Sequence, residues 1–506
     1  MVRIRTERAR TGGACQAATA GGTLTGVKNR RRRWIGLGCV LAACVGVGTA
    51  FAAAGRDQQT LTASHDVLPI LLDKCSGCHQ AGGIAPFPLT SSRDAVQYAS
   101  AIAFVTRQRI MPPWPPGPDS PRYVGQATRQ LTGEELSTIA TWVAQGARLG
   151  KAVSGVPRKP SRPSGALTLQ MPVAYTPRAV EGATDDYHCF VLEPKLSQDE
   201  FVTSVQIEPG APSIVHHVIL YRETGLAAAA ARSRNRTTGG KGWSCFGGTG
   251  LPGEGGNLMD APWLGAWVPG KTSTAMPAGT GVPLPRGSVI VMQVHYNLLH
   301  GAKPDRSRAV LGLRPASSHL TPLKTMLLPA PVELPCPRSV TGPQCNRNVE
   351  LRAEVRKYGP DEESTVTGLL FLCGRFGPGS AAPPPDPTRI TTSCDRRLTS
   401  PITLYGVAGH MHTRGRDIRL VLDPGTSKQR MLLHIPRWSF HWQDAYLLAK
   451  PLHLRAGDVL RVQCRFDNTI GAQPSVNGVH LKPRYVLWGE GTTDEMCLGL
   501  VEYTAG

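Results

Sequence analysis

Two cysteines and a histidine near the start of the chain form the clearest chemical motif of the sequence. Cys75, Cys78 and His79 have the C-x-x-C-H spacing that is typical of c-type haem attachment. The thiols lie about one helical turn apart, so each can form a thioether with a haem vinyl group while the imidazole binds the iron. The alternatives are a redox-active C-x-x-C and half of a zinc site, but the sequence has no second C-x-x-C. The motif therefore predicts one covalently bound haem c.

Met111 is the expected second axial ligand of that haem. It is the only methionine between Met1 and Met171, and a thioether opposite an imidazole is an electron-transfer ligation that raises the reduction potential. Two prolines follow it directly and restrict the backbone of the loop. The alternatives are a methionine that fills a gap in the core and His65 as the ligand.

Residues 57–150 surround these groups with short helical patterns. Residues 67–72 lead into the haem motif, Ser91 caps the start of a helix, and Thr132 to Glu135 form a capping box. The whole segment resembles a small class I cytochrome c, which implies an all-α electron-transfer domain.

From residue 168 onward the chain changes to short apolar runs between glycine and proline turns, such as 213–221, 288–296 and 485–489. The 56 glycines, the 43 prolines and the aromatic share of only 6% favour turn-rich β structure, in sandwiches or barrels. A length of 506 residues suggests roughly three domains. We therefore expect a multidomain chain in which the cytochrome-like domain is followed by a linker and two all-β sandwich domains, at 151–167, 168–315 and 316–506.

Two groups of histidines in the β-rich part have spacings that suit a metal ion. His216 and His217 are adjacent and are joined by His295. Because neighbouring strand residues point to opposite faces, that pair needs a bulge or a strand end to bind one ion, and taken alone it is weak evidence. His410 and His412 share one face of a strand and can hold one ion directly.

Met496, in an Asp-Glu-Met-Cys segment, is a third candidate ligand for the second group. Two imidazoles with a soft thioether suit Cu(I), whereas ligation by nitrogen alone suits copper or zinc. The sequence therefore predicts two metal sites, of which the second has the stronger preference for copper.

The order of these motifs resembles the type II copper, ascorbate-dependent monooxygenases, which include the peptidylglycine α-hydroxylating and dopamine β-hydroxylating enzymes. His-His, Gln-x-His-Tyr, His-x-His and Asp-Glu-Met-Cys follow one another, and the resemblance covers about residues 170–506. It implies two jelly-roll-like sandwiches that hold one copper ion each across a solvent cleft. The implied ligands are His216, His217 and His295 for the electron-transfer copper, and His410, His412 and Met496 for the catalytic copper where O₂ binds.

Three positions depart from the peptide-hydroxylating members of that family. Ala408 stands where those enzymes carry an arginine that binds the substrate carboxylate. Leu498 and Leu500 replace an asparagine and a tyrosine. A small apolar or aromatic organic substrate is therefore expected rather than a glycine-extended peptide.

The cysteines beyond the haem motif predict disulfides. Of the 13 cysteines, three lie in the N-terminal leader and two in the haem motif, and an even number remaining in an exported chain favours four disulfides. The resemblance implies Cys189–Cys245 and Cys464–Cys497. Local pairing, Cys336–Cys345 and Cys373–Cys394, is the expectation for a Pro-rich insertion near 330–396.

The leader, residues 1–54, predicts export. Arginines 30–33 precede an apolar stretch, 34–54, that ends in small residues, as in a cleaved signal. An uncleaved membrane anchor and a lipoprotein with Cys44 are the alternatives, and each leaves the rest of the chain periplasmic or extracellular. Residues 1–33 carry nine basic side chains of a chain whose net charge is +20, so the charge gives no case for nucleic acid.

Together these features predict a copper-dependent monooxygenase that hydroxylates a C–H bond with O₂. Its electrons would pass through haem c from a periplasmic donor, in place of or alongside ascorbate or another reductant. The main alternative is a non-catalytic copper and haem protein for electron transfer or redox sensing, and a metal-storage or structural β protein is the third. Membrane contact is expected only through the N-terminal segment, if that segment is uncleaved or lipidated.

Overall fold

The structure, a computed structural model, describes residues 60–506 except 84, 158–161, 164–165, 180–183, 254–257, 270, 272–273, 300, 376–389 and 477. The leader lies outside the described residues, so export and its alternatives stay predictions. Residues 59–506 form one compact unit. Within the described ranges, no helix has both the length and the apolar composition needed to cross a membrane.

The N-terminal part of this unit is helical. Strands and helices are numbered along the chain, and this part contains a π-helical turn, Ala63–Val67, followed by α1 (Leu68–Lys74), α2 (Ser92–Gln97), α3 (Ala99–Arg107), α4 (Gln126–Arg129) and α5 (Gly133–Ala144). Ser91 and Thr132 both form capping boxes, with Asp94 and Glu135, which confirms the helix starts that the sequence predicts. The helices share a core around the fully buried Trp142. Whether the part is a class I cytochrome c stays a prediction.

The next part consists of two mainly antiparallel sheets on either side of one core, with β11 paired parallel to β8 in the first. The first sheet has the order β1-β10-β3-β8-β11 with β7 paired to β3, formed by β1 (Leu167–Gln170), β3 (Glu200–Glu208), β7 (Thr274–Ala275), β8 (Thr280–Leu284), β10 (Arg308–Pro315) and β11 (Thr321–Pro322). The second has the order β5-β2-β9-β4-β6, formed by β2 (Asp185–Leu192), β4 (Val215–Glu223), β5 (Trp243–Ser244), β6 (Trp263–Trp267) and β9 (Val289–Asn297). Alternating apolar residues of both sheets, such as Leu192 and Leu311, meet in the same core. Helix α6 (Gly225–Thr237) follows β4.

The C-terminal part repeats this arrangement. One sheet has the order β12-β23-β15-β18, formed by β12 (Lys324–Pro329), β15 (Ile402–His410), β18 (Ala445–Leu454) and β23 (Leu498–Ala505). The other has the order β14-β19-β16-β17, formed by β14 (Ile390–Arg397), β16 (Gly415–Leu422), β17 (Arg430–Ile435) and β19 (Val459–Phe466). Short ribbons pair β13 (Glu333–Leu334) with β22 (Val486–Leu487) and β20 (Ser475–Val476) with β21 (Val479–His480). The mainly β architecture with few helices is confirmed, while the jelly-roll topology and the domain boundaries stay predictions.

The insertion near 330–396 contains two helices, although its sequence predicted only a Pro-rich segment with disulfides. They are α7 (Arg347–Tyr358), which Asn346 caps, and α8 (Asp361–Leu372). In the described residues four disulfides join Cys189 to Cys245, Cys336 to Cys345, Cys373 to Cys394 and Cys464 to Cys497. These are the pairs expected from the sequence.

Residues 114–129, which precede α5 and include α4, pack the helical part against the C-terminal sheets. The backbone of Val124 donates to Leu447 O at 2.8 Å, in strand β18. Tyr123 is 4% exposed, belongs to the core of the C-terminal part and donates its hydroxyl to Leu432 O at 2.7 Å. The segment is therefore built into the C-terminal fold and is not a loose tether.

Candidate metal centre and cavity

Three histidines converge on neighbouring strands of the second sheet. A register shift between Val215 and His217, opposite strand β9, places both His216 and His217 beside His295. The Nδ1 atom of His217 lies 3.4 Å from that of His216 and 3.3 Å from that of His295. The predicted need for a bulge at the adjacent pair is thus met. Their ligand atoms all lie within 4.8 Å of one another.

Asp185 fixes the orientation of His295. Its Oδ1 lies 2.8 Å from Nε2 of His295, and both residues are about 1% exposed. Burial raises the pKa of Asp185, but the hydrogen bonds that it accepts from His295, Thr492 and Thr184 hold the pKa below its usual value. The ionised carboxylate only accepts, so Nε2 carries the hydrogen and Nδ1 presents a lone pair.

The imidazoles of His216 and His217 are neutral near pH 7. Burial and the neighbouring imidazoles hold the pKa values of His216 and His217 well below their usual range. Three Nδ1 atoms thus meet, with that of His217 at 3.4 Å and 3.3 Å from the other two, and an unprotonated Nδ1 presents a lone pair that can bind a metal ion. A metal cation satisfies such a set, and nitrogen ligation suits copper or zinc.

The second group lies at the end of strand β15. His410 is the last residue of the strand and His412 lies beyond it, so the pair does not share a strand face as expected. Their Nε2 atoms are nevertheless 3.2 Å apart. Burial lowers the pKa of His410 to about 4 and that of His412 to about 3, so both rings are neutral.

Gln443 sets the tautomer of His410, and one ring nitrogen of His412 has no hydrogen-bond partner among the described residues. Nδ1 of His410 donates to Oε1 of Gln443 at 2.5 Å, which leaves Nε2 of His410 with a lone pair. Nδ1 of His412 is buried and has no hydrogen-bond partner among the described residues. The donor set of this group therefore also fits a metal ion.

Met496 follows the loop that closes beside His412. Glu495 accepts from the backbone N–H of His412 at 2.9 Å and from that of Arg414, so the residue before Met496 is fixed to the end of β15. Met496 is 6% exposed and lines the same cavity as His410. A thioether is therefore available on the side of the second group.

The two histidine groups lie close together. The ring centroids of His217 and His410 are 6.2 Å apart, and Phe440 stacks on His216 at 4.3 Å and lies 5.9 Å from His412. The resemblance implied two sites on opposite sides of a solvent cleft, and the structure differs from that expectation. The physical reason is a set of hydrogen bonds between the two sandwiches next to the histidines, of which Asp185–Thr492 is the shortest.

A cavity of about 810 Å³ opens beside both groups and is lined by His217, His410 and Met496. Its walls carry aromatic rings, including those of Tyr187, Phe246, Tyr358 and Trp488. The three positions that depart from the peptide-hydroxylating pattern, Ala408, Leu498 and Leu500, also line it. An apolar wall therefore lies where the peptide-hydroxylating enzymes carry a carboxylate-binding arginine, as Ala408 leads one to expect.

Two carboxyl groups of the cavity wall were not predicted from the sequence. Burial raises the pKa of Glu362 to about 9 and that of Glu490 to about 8. Oε1 of Glu362 is buried without a hydrogen-bond partner in the described part of the chain. Only the tertiary structure could identify these groups, because single glutamates in turns and helices carry no pattern.

The residues of the haem motif fit the group that the sequence predicts. Cys75 and Cys78 are free thiols, and Nδ1 of His79 lies 3.0 Å from the carbonyl oxygen of Phe87. A carbonyl only accepts, so Nδ1 carries the hydrogen and Nε2 is left free to bind iron. Met111 is half-buried, while the side chain of His65 is 80% exposed and pairs with Asp66. The ligand set itself stays a prediction.

Comparison with known proteins finds a family model that is similar to the C-terminal part. The family model "Copper type II ascorbate-dependent monooxygenase, C-terminal domain" matches residues 366–505, a stretch that contains His410, His412 and Met496. The match agrees with the family resemblance of the sequence in that part of the chain.

A curated relative and several solved structures are also similar to parts of the chain. Dopamine beta-hydroxylase of Rattus norvegicus is 24% identical over 174 residues, and the match spans 33% of this chain and 26% of that protein. Paenibacillus xanthan lyase has a TM-score of 0.14 at 11% identity, covering 69% of this chain and 28% of its own. The infectious bursal disease virus VP2 subviral particle has a TM-score of 0.15 at 7% identity, covering 70% and 74%. TM-scores this low carry no argument about this chain.

Proposed function

We propose that this chain is a copper-dependent monooxygenase that hydroxylates a C–H bond of a small organic substrate with O₂. The observation that carries the proposal is the convergence of two buried histidine groups and Met496 beside one largely apolar cavity. One oxygen atom enters the product and the other leaves as water, so each turnover consumes two electrons and two protons. Copper at the two groups would supply O₂ activation and one-electron transfer, which protein side chains cannot provide.

The side chains of this chain orient the ligands and exclude water. Asp185 and Gln443 fix the tautomers of His295 and His410. The two rings therefore do not have to move a proton or rotate when a metal binds. Phe440 and Tyr187 cover the histidine rings, and Tyr187 stacks on His295 at 4.1 Å. A dry site of this kind favours a substrate with an apolar body.

The substrate that we propose is an aromatic or apolar molecule. The aromatic walls and Ala408, Leu498 and Leu500 support an apolar body. The relative in rat is named for dopamine, an aromatic amine, and Glu362 and Glu490 provide carboxyl oxygens that can accept hydrogen bonds from an amine. Aromatic amines and their neutral isosteres therefore form the first panel of compounds to test.

Oxygen uptake tests the activity directly. The copper-loaded full chain, supplied with ascorbate and the panel, should consume O₂ with at least one compound and yield a hydroxylated product by mass spectrometry. Met496→Ala should remain folded and lose most of this uptake. Full copper occupancy with no uptake under any reductant would instead favour the non-catalytic electron-transfer alternative.

We propose further that the helical part relays electrons to this site. Lys74 Nζ, one residue before Cys75, donates to Thr128 O at 2.6 Å, and Arg129 forms an ion pair with Asp444. Asp444 follows Gln443, the partner of His410. These contacts support a continuous protein route between the haem motif and the second histidine group.

Anaerobic rapid mixing tests the relay apart from turnover. The ferrous haem form, mixed with Cu(II), should pass its one electron to one bound Cu(II) ion, leaving ferric haem and a single Cu(I) per chain, with the change followed in the haem absorbance. Unchanged ferrous haem beside loaded Cu(II) would refute the relay and leave the monooxygenase proposal intact.

We also propose export of the chain, because its disulfides suit an oxidising compartment.

A further inference from the structure

The insertion packs against the loop that carries Met496. Helix α7 ends at Tyr358, and the Tyr358 ring lines the cavity and lies 4.9 Å from the ring of Phe246. The loop runs from Gly491 to Cys497, directly before strand β23. The insertion therefore reaches the second histidine group through this loop.

Asp494 is the point of contact between the loop and the insertion. It is 1% exposed and accepts from the Tyr358 hydroxyl at 2.7 Å. It also accepts from the backbone N–H of Gly491 at 2.9 Å and from Arg484 at 2.5 Å, and Lys357 lies 3.8 Å away. Two consecutive residues at the end of α7 thus face one buried carboxylate.

Arg484 joins the same carboxylate to the body of α7. Its guanidinium lies 3.1 Å from Glu350 and 3.2 Å from Glu354, both of which are on α7. A Cβ atom at Gly491 would lie 2.3 Å from the Tyr358 hydroxyl. The close approach of helix and loop therefore requires glycine at that position.

Each neighbour of Met496 in the loop is held by a different part of the fold. Asp494 is bound to the insertion, Glu495 to the backbone after His410, and Cys497 to Cys464 of strand β19 through a disulfide. Glu495 and Cys497 fix the loop to the C-terminal sheets alone. The hold on Asp494 is the one that depends on the insertion.

We propose that Tyr358 is a positioning residue for Met496: by holding Asp494, its hydroxyl sets the direction of the thioether toward His410 and His412. This assignment rests on the proposed function, because it takes Met496 to be a copper ligand. It gives the insertion a role in the metal centre as well as in the cavity wall. The residue acts through Asp494 and touches no reacting atom.

X-ray absorption at the copper edge tests the assignment, because it reports sulfur ligation separately from activity. Tyr358→Phe in the full chain removes only the hydroxyl. Tyr175→Phe is the matched control, because Tyr175 donates to Asp186 at the same 2.7 Å in the other sandwich. With Cu(I) loaded, the control should keep the copper–sulfur scattering of the wild type, and Tyr358→Phe should lose most of it while keeping its imidazole scattering.

A Cu(I) competition titration measures the same effect as an affinity. We expect Tyr358→Phe to weaken the sulfur-containing site by about 10- to 100-fold, the usual effect of losing a residue behind a ligand. Lys357→Met serves as a second variant if Tyr358→Phe does not fold, and it should weaken the site in the same direction. Undiminished scattering and affinity in a folded Tyr358→Phe variant would overturn the assignment. Absence of copper–sulfur scattering in the wild type would instead refute Met496 as a ligand and the assignment with it.

Discussion

Asp185 and Thr492 belong to different sandwiches and are joined by two hydrogen bonds. The hydroxyl of Thr492 lies 2.5 Å from Oδ1 of Asp185, and its backbone nitrogen lies 3.2 Å from Oδ2. The same carboxylate accepts from His295 at 2.8 Å, while Thr492 lies in the loop that leads to Met496. One buried side chain thus connects the first histidine group to the loop of the second.

Substitution of Asp185 tests this connection. Asp185→Asn keeps the size of the side chain but leaves one acceptor oxygen for four donors, from His295, Thr184 and two groups of Thr492, so the orientation of His295 is lost. We expect the affinity of the three-histidine site for copper to fall by about 10- to 100-fold, measured by competition titration. Asp186→Asn, at the next position of the same strand, is the control. Equal affinities in the two variants would contradict the role given to Asp185.

Gln443 is expected to matter for activity more than for stability. Gln443→Leu removes the acceptor for Nδ1 of His410 and allows the other tautomer. In that tautomer Nε2 of His410 carries the hydrogen and no longer presents a lone pair on the side of His412. The rate of O₂ uptake should fall by about 10-fold or more, with the melting temperature nearly unchanged. Gln429→Leu, at an exposed turn, controls for the loss of an amide. A Gln443→Leu variant with wild-type uptake would refute this prediction.

Much of this centre could be predicted from the sequence because its ligands form local motifs. The C-x-x-C-H and His-x-His spacings mark His79 and His410 as candidate ligands directly, whereas the His-His pair at His216 was weak evidence without the register shift that the structure adds. Asp185 and Gln443 could not be found in that way, because they reach the histidines from distant strands and loops. The role of Tyr358 likewise depends on packing between a helix and a loop 136 residues away.

In the insertion near 330–396, too, only part of the fold could be predicted from the sequence. Its prolines and cysteines predicted a disulfide-bonded segment, and the structure adds helices α7 and α8. Their sequences lack a clear apolar periodicity, because charged residues such as Glu350, Glu354 and Glu362 are buried against the loop or the cavity. A pattern of apolar residues therefore could not reveal which faces are covered.

The raised pKa of Glu362 predicts that the free energy of unfolding decreases as the pH rises. Burial raises its pKa from the usual 4.5 to about 9, and the charges of Glu490, Asp494 and Glu354 add to this while Lys357 opposes it. The folded chain therefore keeps a proton that the unfolded chain releases, and the free energy of unfolding falls as the pH rises from about 4.5 to 9.

The matched pair Glu362→Gln and Glu363→Gln measures that contribution. Glu362→Gln should flatten the pH dependence of thermal unfolding between pH 5 and 9, and it should be more stable than the wild type at the upper end. Glu363→Gln, at the exposed neighbouring position, should follow the wild-type curve. Parallel curves for all three proteins would show that Glu362 titrates normally.

Arg129 should matter for the relay and not for turnover with ascorbate. Arg129→Gln removes the ion pair with Asp444, so we expect haem oxidation by Cu(II) to slow by about 10-fold while hydroxylation supported by ascorbate is unchanged. Arg107→Gln, at the exposed end of α3, is the control. Equal rates of haem oxidation in both variants would exclude Arg129 from the route.

The central claim is tested most directly by isotope incorporation during turnover of the copper-loaded chain under ¹⁸O₂. Mass spectrometry of the product should find a single ¹⁸O atom in the new hydroxyl group, and His216→Ala or His410→Ala should each abolish its formation. A product without ¹⁸O, or a labelled product that persists in both variants, would contradict the account of a copper monooxygenase built on these two histidine groups.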